Sequence, residues 1–245
     1  MFSDHSWRDR VALITGASQG LGLEIARLYA SRGVRLTLTA RGAEALQAAA
    51  TELQQSTDVL AIAGDVADEA HARKLVNAAF ERWGRIDILI NNASELGPSP
   101  MPHLEHLPIG DFRALLDVNV VAPLQLMQRI VPSMRSRGEG WIFNVTSDAG
   151  VEAYAGWGGY GASKAALEHL SRIAAKELEG TGVRLVVVDP GEMNTRMHQL
   201  AEPGADLSHL PSPATSAPAF VKLVEEESRR FARVEAQKIA LQEVV

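Results

Sequence analysis

The feature that most constrains this chain is a glycine-rich turn, Thr15-Gly16-Ala17-Ser18-Gln19-Gly20-Leu21-Gly22. It follows the apolar run Val11–Thr15 and opens a helix-patterned segment over 21–31. Glycines let a backbone turn sharply and let a bulky anion approach the main chain. A helix that starts there offers unpaired N–H groups and the positive end of its dipole, which together suit a phosphate. Strand, tight turn and helix in succession is the context that separates such a motif from an ordinary structural turn. Nucleotide binding through Gly16, Ser18, Gln19, Gly20, Leu21 and Gly22 is therefore favoured. The spacing is not that of the usual dinucleotide fingerprint, whose first two glycines flank a single residue; here three separate Gly16 from Gly20.

The turn belongs to a longer alternation. Short β-branched runs at 11–15, 34–40, 59–63, 86–91, 141–145 and 183–188 are followed by helix-like segments at 21–31, 43–54, 69–83, 111–135 and 158–178. Such alternation implies βαβ units. The fold class expected is α/β, a doubly wound parallel sheet of six to seven strands with helices on both faces. No repeat or linker divides the 245 residues, so one domain over 1–245 is expected, carrying both nucleotide binding and chemistry. The stretch 192–218 is rich in Pro, Ser and Ala and reads as a long excursion: a substrate loop or a plain surface loop. The tail from Phe220 reads as helix with a short last strand near 231–235.

Composition excludes several classes. With no cysteine, disulfides, thiolate catalysis and cysteine-ligated zinc are ruled out, and no metal is expected. A net charge of −6 without a Lys/Arg cluster argues against nucleic acid. Residues 1–10 lack the apolar core of a signal peptide. No stretch reads as the roughly 20 apolar residues that span a bilayer. The expectation is a cytoplasmic protein without a membrane partner.

The second strand ends Thr39-Ala40-Arg41. An acid at this place bonds the ribose hydroxyls of NAD, whereas a cation attracts the 2′-phosphate of NADP. Ala40 supplies no acid and Arg41 supplies the cation, which favours NADP(H); a solvated turn arginine is the competing explanation. Further on, Tyr160 and Lys164 stand at i,i+4 on one helix face, about 6 Å apart along the axis. An ammonium, a nicotinamide cation and a helix N-terminus together lower a phenol pKa from its usual value of about 10. Taken alone such a pair is an ordinary surface feature. Ser147 ends the fifth strand, where ligands of parallel sheets bind, although a lone serine there commonly caps a turn. The combination of glycine turn, Ser147 and Tyr160/Lys164 singles out hydride chemistry.

With these motifs in this order, the sequence over 10–195 resembles the short-chain dehydrogenase/reductase family, and a single Rossmann-like domain follows from that likeness. The resemblance implies that Asp65-Val66 contacts adenine and that Asn91-Asn92-Ala93 supports the sheet and lines the adenosine side. It implies that Pro190-Gly191-xxx-Thr195 contacts the nicotinamide carboxamide. The family has glycine where this chain has Ser94. Asn119, Ser147, Tyr160 and Lys164 match its catalytic tetrad. By that likeness Lys164 bonds the nicotinamide ribose and lowers the Tyr160 pKa. Ser147 polarises a substrate carbonyl, Tyr160 gives the proton, and Asn119 holds a water that links Lys164 to solvent. The implied activity is an NADP(H)-dependent reductase or dehydrogenase acting on a small carbonyl or alcohol.

The segment around Trp157 and the tail bear a faint likeness to sepiapterin and related carbonyl reductases. Asp148, Glu152, Trp157 and Glu192 near the expected cleft suit a pterin-like or cationic substrate, or are rim residues. A non-catalytic NADP(H) sensor on the same fold is the rival class; retention of both Tyr160 and Lys164 argues against it. The resemblance also implies a homodimer or homotetramer paired through the helices 111–135 and 158–178, whose small residues Ala162, Ala165, Ala166 and Ala174 permit close contact.

Overall fold

The computed structural model describes residues 5–226 and 231–241. A single helical turn, α1 (His5–Arg8), precedes the first strand. The strands are β1 (Val11–Thr15), β2 (Arg35–Thr39), β3 (Val59–Ala61), β4 (Ile88–Asn91), β5 (Gly140–Val145), β6 (Val183–Asp189) and β7 (Phe231–Glu235). The principal helices between them are α2 (Gly20–Ser31), α3 (Ala43–Leu53), α4 (Glu69–Trp83), α5 (Ile109–Leu116), α6 (Ala122–Arg137) and α7 (Gly158–Glu177). Three shorter ones follow: α8 (Arg196–Ala201), α9 (Ala219–Glu226) and α10 (Ala236–Leu241).

The seven strands among the described residues are all parallel and lie in the order β3-β2-β1-β4-β5-β6-β7. The alternation of pleat faces divides the core. Ala12 and Ile14 of β1 pack with Tyr29, Leu36, Phe143 and Phe220 on one side of the sheet. Val11 and Leu13 pack with Leu75, Ile130, Ile142 and Leu185 on the other. Burial on both faces explains why these strands read as continuous apolar runs. The helices are delimited by local chemistry. Asp68 caps α4 by accepting from the Ala70 N–H, and Gly84 closes it in the left-handed conformation at φ 73°.

The order reverses at β1. The chain runs outward through β2 and β3, then returns to lay β4 on the other side of β1. The carboxyl ends of β1 and β4 therefore open a crevice, the place where sheets of this topology hold ligands.

Two expectations are corrected. The long helix is interrupted by a π-helical turn over Asp117–Val121 that joins α5 to α6. Because it runs through that turn, the helix Ile109–Arg137 is long and apolar enough, by length and composition, to cross a membrane, which no segment was expected to be. Its inner face is a core surface: Leu126, Met127, Ile130 and Met134 pack against the sheet. The stretch 192–218, read from the sequence as a long excursion, carries structure of its own. It contains α8, capped by the Thr195 hydroxyl, and a 3-10 turn over Pro213–Thr215, and it buries Ala201, Leu207 and Ala217. The tail forms α9 and then β7 as expected.

Candidate active site

The turn after β1 is built for close approach. Gly16 and Gly20 have φ of +65° and +57°, values that disfavour side chains. A Cβ on Gly16 would sit 2.8 Å from Asn92 Nδ2, and one on Gly22 would sit 2.5 Å from the Gly16 carbonyl oxygen. Gln19 at the N-cap of α2 makes no side-chain capping bond, so the helix start faces the crevice uncapped. The turn is stitched to the one after β4. Thr15 Oγ1 accepts from the N–H groups of Asn92 (3.0 Å) and Ala93 (2.9 Å), and Asn92 Nδ2 donates to the carbonyls of Thr15 (2.9 Å) and Gly16 (3.2 Å). Asn92 and Ala93, expected as cofactor contacts, thus also shape the turn that would hold the phosphates.

A cleft of about 810 Å³ opens above these turns. One wall carries Gly16, Ser18, Gln19, Gly20 and Leu21, with Arg41 after β2 and Asp65 and Val66 after β3. Asn92 and Ala93 form its floor, and Pro190, Gly191 and Thr195 follow β6. Ser147, Tyr160 and Lys164 lie on the wall made by β5 and α7. Two expected residues stand behind the lining. Gly22 packs under the turn, and Asn119 is buried at 1% exposure.

The Asn119 side chain is fully engaged. Its Oδ1 accepts from Ser94 Oγ (3.1 Å) and the Glu95 N–H (2.8 Å), and its Nδ2 donates to the Glu95 carbonyl and to Ser163 Oγ, both at 2.9 Å. Ser94, where the family has glycine, thus secures Asn119. Ser147 has two parts to play. Its Oγ accepts from the Ala149 N–H as cap of the 3-10 turn Asp148–Gly150, and donates to Asp148 Oδ1 at 2.8 Å. To polarise a carbonyl its hydroxyl must swing from Asp148.

Lys164 Nζ, 2% exposed as a residue, donates to the Val145 carbonyl at 2.9 Å and lies 5.4 Å from the Tyr160 ring centroid. Burial pushes its ammonium down to about 8. Burial also pushes the Tyr160 phenol up to about 12; the hydroxyls of Ser94 and Ser147 pull it down, and the carboxylates of Asp189 and Asp148 push it up. The expected lowering of Tyr160 is therefore not a property of the protein alone, because desolvation outweighs the neighbouring hydroxyls. Asp148 is pushed up by partial burial, but bonds from Ser147, Tyr154 and the Ala149 N–H, with Arg233 nearby, outweigh that and hold it below the usual carboxylate range. Tyr154, Trp157 and Tyr160 form an edge-to-face aromatic row beside it.

Sequence reasoning missed a clamp behind the site. Arg233 of β7 bonds both oxygens of buried Glu168 at 3.1 Å, and reaches the Ser147 carbonyl (3.4 Å) and Asp189 Oδ2 (3.5 Å). Glu168 also accepts from Thr146 Oγ1 at 2.8 Å. Glu168 at i+4 from Lys164 was the only local signal. Among the described residues no group of three or more His, Cys, Asp or Glu is placed to hold a metal.

The family model for short chain dehydrogenases matches residues 10–205. The chain belongs to the short-chain dehydrogenase family. It is 38% identical over 197 residues to a rhamnolipids biosynthesis 3-oxoacyl-[acyl-carrier-protein] reductase of Pseudomonas aeruginosa, covering 77% of this chain and 74% of that one. A short chain dehydrogenase of Salmonella enterica serovar Typhi superposes with a TM-score of 0.86 at 28% identity, over 93% of this chain and 96% of that one. A metagenomic short-chain oxidoreductase in complex with NADP superposes with a TM-score of 0.79 at 29% identity, over 93% and 96%. As a short-chain dehydrogenase the protein is an oxidoreductase of a nicotinamide-binding family. Arg233 lies beyond the residues that the family model matches.

Proposed function

We propose that this short-chain dehydrogenase interconverts a small carbonyl and its alcohol with NADP(H), Tyr160 carrying the proton. The observation that carries the reading is convergence. Tyr160, Ser147 and Lys164 line one cleft together with the uncapped start of α2. The residues fit the cofactor: the glycine turn leaves room for a pyrophosphate, and Arg41 supplies a cation at the end of β2. A nicotinamide bound there supplies or accepts the hydride.

The chain's own groups do the rest. Tyr160 is a phenol across the neutral range, so it is poised to donate to a carbonyl oxygen. Ser147 presents a second hydroxyl to that oxygen. Lys164 spends one N–H on Val145, and an ammonium has two more for a ribose hydroxyl and a water. With its Oδ1 and Nδ2 both saturated by Ser94, Glu95 and Ser163, the Asn119 side chain has no bond left over for a proton-exchange water. The NADP complex and the reductase among the similar proteins support this reading. The segment 192–218, which closes the cleft with Met193, Met197 and His198, is assigned to substrate binding.

The test is consumption of NADPH, and separately NADH, across aldehydes, ketones, diketones, quinones and a pterin carbonyl, with Tyr160→Phe as control. Turnover that favours NADPH and is lost in the variant is expected. Failure to bind either cofactor would sink the reading.

A further inference from the structure

Arg41 and Glu95 stand on the turns that leave β2 and β4, the two strands that flank β1. Their side chains meet in an ion pair, Arg41 Nη1 to Glu95 Oε2 at 3.0 Å. The pair therefore reaches across the carboxyl end of β1, over the glycine-rich turn.

Glu95 is not a loosely tethered surface acid. Its N–H and its carbonyl are both bonded to Asn119, and its own Oε1 accepts from the Leu96 N–H at 3.3 Å. A pinned backbone thus aims the carboxylate at Arg41. The carboxylate that commonly reads the ribose hydroxyls stands at the end of β2. Ala40 provides none there, and Glu95 brings one to the same cation from β4.

Resting on the assignment of Arg41 to the 2′-phosphate, we propose that Glu95 is a cofactor-specificity residue that competes with that phosphate for Arg41 and so lowers the preference for NADP(H) over NAD(H). A guanidinium has five donors in a planar fork, and one of them, on Nη1, is taken by Glu95. A phosphate dianion drawn to Arg41 must share it and meets a like charge at short range. A cofactor with a free 2′-hydroxyl leaves the ion pair intact and offers the carboxylate a donor. Arg41 and Glu95 together admit both cofactors, with the balance set by how firmly Glu95 holds the guanidinium.

The test is titration calorimetry of NADPH, NADH, adenosine 2′,5′-bisphosphate and ADP on the full chain, for the wild type, Glu95→Gln and Arg41→Gln. Removing the charge should tighten NADPH and the 2′-phosphate probe about three- to five-fold, the scale of an exposed ion pair. NADH and ADP should stay unchanged or weaken. Glu95→Ala, which retains the main-chain bonds to Asn119, should move in the same direction. If Arg41→Gln weakens the 2′-phosphate ligands while both Glu95 variants leave them unchanged, the role of Glu95 is overturned and the NADP reading stands. If Arg41→Gln leaves them unchanged, the 2′-phosphate assignment of Arg41 falls, and the role of Glu95 with it.

Discussion

Lys164 is the residue at which stability and chemistry conflict most. Folding moves its ammonium from the ordinary 10.5 to about 8 because it is buried. Between those values the unfolded chain holds more protons than the folded one, so stability rises with pH across that window. Below about 8 the folded state bears the full cost of a buried charge. Lys164→Met should therefore melt higher than the wild type at pH 7. The bond to Val145 is lost, which offsets part of the gain and leaves roughly 1–2 kcal/mol. The difference should shrink as pH rises from 8 towards 10.5. Denaturant titrations at pH 7 and pH 10 check this; a variant that is less stable at pH 7 refutes it. The variant should be inactive throughout. That Lys164, Tyr160 and Ser147 line one cleft was legible in the sequence because their spacing is local: i,i+4 on a helix, and a residue two positions beyond the end of β5. The state of Tyr160 was not, because desolvation is a sum over neighbours from several elements.

At the scale of elements, the strands and helices followed from hydrophobic periodicity, and their boundaries moved by only a few residues. What periodicity does not encode is a change of helical pitch. The π-turn over Asp117–Val121 looks in sequence like more α-helix, yet it sets where Asn119 is directed. Likewise β7 was expected, but its partners were not. Arg233 meets Glu168 and Asp189 from 65 and 44 residues away, and no local pattern predicts such contacts. Arg233→Met should leave Glu168 buried without its main cation, costing about 3 kcal/mol. Arg233→Met with Glu168→Gln should recover much of that loss. Chemical denaturation of the two single variants and the double variant measures the coupling; additive losses would refute it. The single Arg233 variant should also lower kcat more than it weakens cofactor binding, since the clamp holds the Ser147 turn and spares the glycine turn.

For the whole molecule, the two long helices present apolar side chains outward. Val121 is 38% exposed and Ile173 of α7 49%. Ala162 and Ala165 of α7 are exposed as well. Exposed small and apolar residues on these helices suit an isologous pairing with a second copy, and we propose a homodimer through them. Ile173→Arg should shift the protein to a monomer in light scattering without altering its circular dichroism; an unchanged mass would place the interface elsewhere.

The clamp ties the site to the margin of the sheet. Among the described residues β7 pairs with β6 alone, at one end of the strand order, so Glu168, Asp189 and the Ser147 turn are held from an outer strand. Regions with few neighbours open locally before the rest of a fold does. Fraying of β7 would loosen the Ser147 turn and leave the glycine-rich turn in place.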